Sequence, residues 1–227
     1  MAAVSLLASC DDGKIFDNNE IIQEEGISVK VTGKIDGLDK WATGYNIAVA
    51  GFGDNEYAVI SKNISTLNDS SNKVEIVMSG VTSQVKTIEL CAIDRLRKRV
   101  ATFKSIPCDQ SSDTLRFDVG EIDASMHNAI QQRVFNVTCA QCHGGSNYAA
   151  AGLYLTEGKS YDALVSVPSK LHKGELLVNP GDASTSTLYN ILSSDITSSW
   201  GYDHSVEVLS TTTLDLIKSW IDYGAQK

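Results

Sequence analysis

The sequence predicts two unlike halves: an all-β sandwich over residues 26–120 and an all-α domain over residues 121–227. Three observations carry that division. Residues 26–120 hold about seven short runs in which apolar and polar residues alternate, the period of strands with one buried face. From about residue 125 the apolar period changes from two to about 3.6, the period of a helix. The composition, 42% apolar and 21% charged with three prolines, is that of a folded chain rather than a disordered or low-complexity one.

The runs of the first half come at near-regular spacing. Ile27, Val29 and Val31 alternate with polar residues and end at the turn signal Asp36-Gly37. Tyr45, Ile47 and Val49 follow, then the stretch from Tyr57 to Ile64. A polar turn cluster from Asn68 to Asn72 precedes Val74, Ile76 and Met78. The stretches Val85 to Ile93 and Val100 to Ile106 flank a charged tip, Asp94-Arg95-Leu96-Arg97-Lys98-Arg99, which reads as a solvated hairpin loop. Leu115 to Val119 closes the set. The expected fold is an antiparallel, immunoglobulin-like sandwich. It holds no histidine and no catalytic constellation, and Met78 belongs to its core. Its expected role is that of a spacer or docking module.

The chain begins with an apolar, uncharged stretch, and polarity changes abruptly at Cys10. Leu7-Ala8-Ser9-Cys10 resembles a bacterial lipobox. That resemblance implies a signal remnant over residues 1–9, acyl chains on Cys10, and a place in the periplasm or at the cell surface. Residues 10–25, rich in acidic side chains, then form a lipidated tether to the bilayer. The net charge of −9 argues against general nucleic-acid binding. No apolar run reaches the roughly 18 residues of a membrane-spanning helix.

Five cysteines stand at 10, 91, 108, 139 and 142. Cys139-Ala140-Gln141-Cys142-His143 is a C-x-x-C-H motif, the attachment pattern of haem c. Two thiols at this spacing form thioethers with the haem vinyl groups, and the adjacent imidazole becomes the proximal iron ligand. Chance places about 0.002 such motifs in a chain of this composition. A zinc site would need a second Cys/His pair nearby, and a thioredoxin-like redox pair would open a helix in a βαβ unit rather than end one. Cys91 and Cys108 remain as two buried thiols or a disulfide.

Around the motif the helical signals are local. Ile130, Val134 and Val137 set an apolar stripe on a helix from about Ser125 to Thr138, ended by Gly144-Gly145. Further helices are expected near Tyr161 to Val167 and Ser186 to Ser193. A last helix runs from an N-cap at Ser210 to about Tyr223, with Leu214, Ile217, Trp220 and Ile221 on one face.

With these marks residues 125–226 resemble the class I cytochrome c family, in a branch found on exported bacterial lipoproteins. The resemblance rests on Cys139-Ala140-Gln141-Cys142-His143-Gly144, Gly152-Leu153-Tyr154-Leu155, Asn179-Pro180-Gly181-Asp182 and Trp220-Ile221-Asp222-Tyr223-Gly224-Ala225, in that order. It implies a cytochrome c fold for the second half and one covalent haem on Cys139, Cys142 and His143. Trp220 would pack on the haem or on the first helix. A carbonyl at the Asn179-Pro180 turn would orient His143.

The family's axial methionine is missing: the methionines are 1, 78 and 126. By alignment Tyr202 stands in its place, with His204 two residues on. His204 leads as the second iron ligand and His172 follows. Tyr202 or an open site are the remaining options. The reading is an electron carrier rather than a catalyst. Residues 121–227 hold six basic and eleven acidic residues, a net charge of −5, so the redox partner would dock through a basic face. The alternatives are a haem enzyme or gas sensor with an open sixth site, and a surface interaction lipoprotein.

Overall fold

The computed structural model describes residues 26–65, 71–170, 172–194 and 201–227. Cys10 and the tether lie outside the described residues. Among the described residues seven strands form two sheets: β1 (Ile27–Asp36), β2 (Tyr45–Phe52), β3 (Ala58–Asn63), β4 (Lys73–Val81), β5 (Thr87–Asp94), β6 (Arg99–Pro107) and β7 (Thr114–Asp123). The order is β4-β1-β7 in one sheet and β3-β2-β5-β6 in the other. Val29, Val31, Val74 and Phe117 from the first sheet join Ile47, Val49, Ile88 and Leu90 from the second in one buried cluster. Met78 is part of it.

The sheets are not wholly antiparallel as expected. β1 pairs antiparallel with β4 on one side and parallel with β7 on the other. A parallel pair needs a long crossover, and here the five strands between β1 and β7 provide it. The β1–β7 register shifts at Thr32/Gly33, where Gly33 faces Gly120. A Cβ at Gly33 would meet the Gly120 carbonyl oxygen at 2.6 Å, so this bulge needs glycine.

The disulfide option for Cys91 and Cys108 is not realised: both thiols are free. Cys91 sits in β5 opposite Thr102, whereas the Cys108 N–H bonds to the Lys86 carbonyl at 2.8 Å, far along the same strand pair.

The second half is not the expected all-α cytochrome c fold. The molecule is mostly β-sheet, and its helices are short. Among the described residues they are α1 (Met126–Ile130), a π-helical segment (Gln131–Cys139), α2 (Ala140–His143), α3 (Ser160–Leu164), α4 (Thr187–Ser193) and α5 (Thr211–Asp222). Between them run irregular loops joined by isolated bridges such as Val165 with Val178 and Leu176 with Ser186. The physical reason is frequent interruption. Ala151, Gly152, Gly158, Ser166, Gly174 and Gly181 all take positive φ, which ends a helical run within a turn or two. Only the first and last helical runs carry enough periodic apolar residues to persist.

The first run also differs from the expected stripe. In the π-helical segment the Ala140 N–H bonds to the Phe135 carbonyl, five residues back. The wider turn brings Met126, Ile130, Val134 and Phe135 into the core and turns Val137 outward, 62% exposed.

Both halves share the apolar cluster, which continues through Ala124 and Met126 to Trp220 and Ile221. Trp41 Nε1 donates to the Ala124 carbonyl at 2.6 Å, and Tyr45 shares a hydrogen bond with Ser219 in α5. Gly37 lies at the same junction with φ of +77°, where a Cβ would fall 2.6 Å from the Ser125 nitrogen. These contacts fix the start of α1 against the sheets and aim the helical run toward the C-x-x-C-H motif. Among the described residues no helix is long and apolar enough to cross a membrane.

Candidate functional site

Cys139 ends the π-helical segment, and Cys142 and His143 complete α2. The two thiols are free. Burial pushes the Cys139 thiol up to about 11. A redox-active C-x-x-C pair needs the opposite, a thiol lowered toward neutrality. Cys139 therefore stays protonated, and the chemistry of a thioredoxin-like nucleophile is not built here.

His143 is oriented by its own loop. Its Nδ1 lies 3.0 Å from the Ala150 carbonyl. A carbonyl only accepts, so the imidazole carries its proton on Nδ1 and leaves Nε2 as a lone-pair donor to a metal. The turn at Ala150–Gly152, with Ala151 at φ of 55°, presents that carbonyl, and Lys170 holds the Ala151 carbonyl at 3.2 Å. The His143 carbonyl itself accepts from the Leu155 N–H at 2.8 Å.

The expected partner for Nδ1 was the Asn179-Pro180 turn. That turn is closed on itself: the Asn179 carbonyl accepts from the Asp182 N–H at 3.0 Å, and Pro180 is exposed. Ala150 takes the role instead. A backbone carbonyl supplied by an alanine has no signature in a sequence, which is why residue patterns missed it.

His204 opens a short 3-10 turn, His204–Glu207, which Asp203 caps by accepting from the Ser205 N–H at 2.9 Å. Its Nδ1 lies 3.2 Å from the Tyr202 carbonyl, so here too Nε2 is left unprotonated. Burial lowers the His204 pKa, outweighing the Tyr202 carbonyl, and keeps the ring neutral near neutral pH. The His143 and His204 ring centroids are 6.4 Å apart and the planes are 29° from parallel. Two metal–imidazole bonds of about 2.0–2.1 Å, placed end to end with the inner halves of both rings, span about 6 Å. The centroid separation of 6.4 Å matches that span.

Tyr202 stands edge-on to His204, with centroids 5.0 Å apart. Its hydroxyl is hydrogen-bonded to the Glu207 carboxylate, which raises its pKa and keeps it from serving as a tyrosinate ligand. His172 lies in another loop, its Nδ1 3.9 Å from the Glu175 carboxylate. Trp220 is 1% exposed, packs against His127 of α1 with ring centroids 5.5 Å apart and planes tilted by 37°, and donates to the Gln226 carbonyl at 2.8 Å. Of the two expected placements it takes the one against the first helix, and it has no open face for a cofactor.

Among the described residues no group of three or more His, Cys, Asp and Glu side chains is arranged to hold a metal ion. A haem iron does not require one, because the porphyrin supplies four of its six ligands and the protein two. Val137, Tyr148, Tyr202, Val206 and Leu209 are exposed, and all five come from the segments that carry Cys139 to His143 and His204. Comparisons of the chain with protein-family models, with curated proteins and with solved structures give no match.

Proposed function

We propose that this chain is a lipid-anchored, mono-haem c-type electron carrier that works outside the cytoplasm. Cys139 and Cys142 hold one haem through thioethers, His143 is the proximal ligand and His204 the distal one. The observation that carries the reading is the His143–His204 pair: rings 6.4 Å apart, near parallel, each with Nδ1 engaged by a carbonyl.

Bound at this position, haem c supplies a one-electron ferrous/ferric couple whose potential follows its ligands and burial. The chain's own part is to hold the two imidazoles and keep the Cys139 thiol protonated before attachment. The excess of acidic residues over 121–227 favours a redox partner with a basic docking face. The anchor rests on Cys10; Cys10→Ser, expressed behind a complete signal sequence, releases the protein from the detergent phase.

The deciding experiment is the visible spectrum of the protein made with cytochrome c maturation machinery, in both oxidation states. Six-coordinate, low-spin haem is the expected result. High-spin haem in the wild type removes the carrier reading in favour of an enzyme or gas sensor with an open sixth site. Absence of bound haem removes both.

A further inference from the structure

The hairpin that joins β5 to β6 ends in Asp94-Arg95-Leu96-Arg97-Lys98, and one carboxylate fixes its shape. Asp94 Oδ1 accepts from the Leu96 and Lys98 N–H groups, both at 2.8 Å. The Asp94 carbonyl accepts from the Arg97 N–H at 3.0 Å, and Arg97 takes φ of 62° to close the turn. Leu96 is left at the apex, 73% exposed, with an exposed arginine on either side. Lys98 pairs with Glu56 at 3.3 Å and Arg99 with Glu89 at 2.8 Å. Arg95 and Arg97 have no carboxylate partner among the described residues. Arg95 instead lies over Gly44, where a Cβ would meet its Nε at 3.4 Å.

The hairpin abuts the second half. Lys98 Nζ lies 3.4 Å from Thr212 Oγ1 in the first turn of α5. Just before that turn Leu209 is 82% exposed, and it lines one small cavity together with Arg133, which is also exposed. A second protruding leucine and a third guanidinium thus lie near the apex. The chain has five arginines, so three of them gather at this end of a molecule with a net charge of −9. The acids nearby are engaged: Asp94 in the turn, Glu56 with Lys98, and Glu207 with the Tyr202 hydroxyl.

We infer that this face, led by Arg95, Leu96 and Arg97, docks on a bilayer rich in anionic phospholipid. Leu96 enters the acyl boundary while the two guanidiniums bind phosphate oxygens at the headgroup level. A convex apex favours a bilayer over a protein. Lipid deforms around a protruding side chain, whereas a protein needs a matching pocket for it. The fixed turn sets the backbone of all three residues before contact, which lowers the cost of ordering them. The acidic remainder of the surface is repelled by the same headgroups, so the contact has one orientation. It requires neither haem nor acylation of Cys10.

The test is flotation of the full chain carrying Cys10→Ser with vesicles of phosphatidylcholine, alone or mixed with phosphatidylglycerol. The expected result is binding to the mixed vesicles only, weakened as salt is raised. Each guanidinium at an anionic surface is worth about fivefold in affinity, so Arg95→Gln/Arg97→Gln should bind roughly 25-fold more weakly. Leu96→Gln should lower binding about tenfold at constant charge. Leu96→Trp gives a second readout: its added emission should shift to the blue with the mixed vesicles. No binding to the mixed vesicles, equal binding to both kinds, or equal binding by the parent and both glutamine variants overturns the inference. So does an unshifted Leu96→Trp emission. Retention on immobilised polyglutamate without vesicle binding overturns it in favour of an acidic protein partner.

Discussion

His143 and His204 place their rings 6.4 Å apart and 29° from parallel, and each gives its Nδ1 proton to a main-chain carbonyl. The first carbonyl is that of Ala150, held in a tight turn. The second is that of Tyr202, in the histidine's own loop. The two rings thus differ in how firmly they are set, and substitution can tell their roles apart.

His204→Ala should convert low-spin ferric haem to high-spin and speed the binding of cyanide or carbon monoxide. His172→Ala should leave the spectrum unchanged. Wild-type ferric spectra should lack the near-infrared band of methionine ligation, and the potential should lie below that of His/Met carriers. A spin-state change in His172→Ala instead would move the distal ligand to residue 172 and leave the carrier reading standing.

Covalent attachment has its own test. Haem should stay with the denatured wild type after acid-acetone extraction and leave Cys139→Ala/Cys142→Ala. Because the Cys139 thiol is pushed up to about 11 by burial, it should also react slowly with alkylating reagents at neutral pH in the haem-free protein. Fast alkylation there would contradict the raised pKa of the partly buried Cys139.

The strands were legible because alternation with period two survives wherever one face of a strand is buried, and each of the seven runs became a strand. The parallel pairing of β1 with β7 was not, since alternation says nothing about which neighbour a strand takes. In the helical half the period itself misled. Val137 keeps the spacing of the stripe with Ile130 and Val134, but the π-helical turn rotates it to the surface. The C-x-x-C-H motif and His204 stood out as residue types with a chemistry. The Ala150 carbonyl and the buried Ser160–Gln131 bond did not, because they depend on where the backbone runs.

Acid should destabilise the fold through His127. Its folded pKa, about 4, lies below the ordinary value of 6.5. The unfolded chain therefore binds the extra proton first as pH falls. The stability from the neutral ring is fully present above about pH 6.5 and is lost progressively down to about pH 4, on the order of 3 kcal/mol in all. Urea midpoints should fall across that window in the wild type and much less in His127→Phe. Parallel falls in both proteins would assign the acid sensitivity to other groups.

A last prediction concerns the outer face of the four-stranded sheet, where Glu89 is nearly buried. Its carboxylate accepts from Arg99 Nη2 at 2.8 Å and from Thr102 Oγ1 at 2.8 Å, and the guanidinium lies 3.9 Å over the Phe52 ring. Removing only the cation leaves a carboxylate in a site that is 7% exposed. Arg99→Met should therefore cost about 3 kcal/mol, the usual penalty for breaking a buried pair from one side. Arg99 Nε is buried without a hydrogen-bond partner, so the pair is not fully satisfied even when intact. The double variant Glu89→Leu/Arg99→Met should then be more stable than Arg99→Met alone, because no charge is left uncompensated. Urea unfolding of the three proteins measures this directly. A double variant less stable than the single one would mean that the pair stabilises the sheet on its own account.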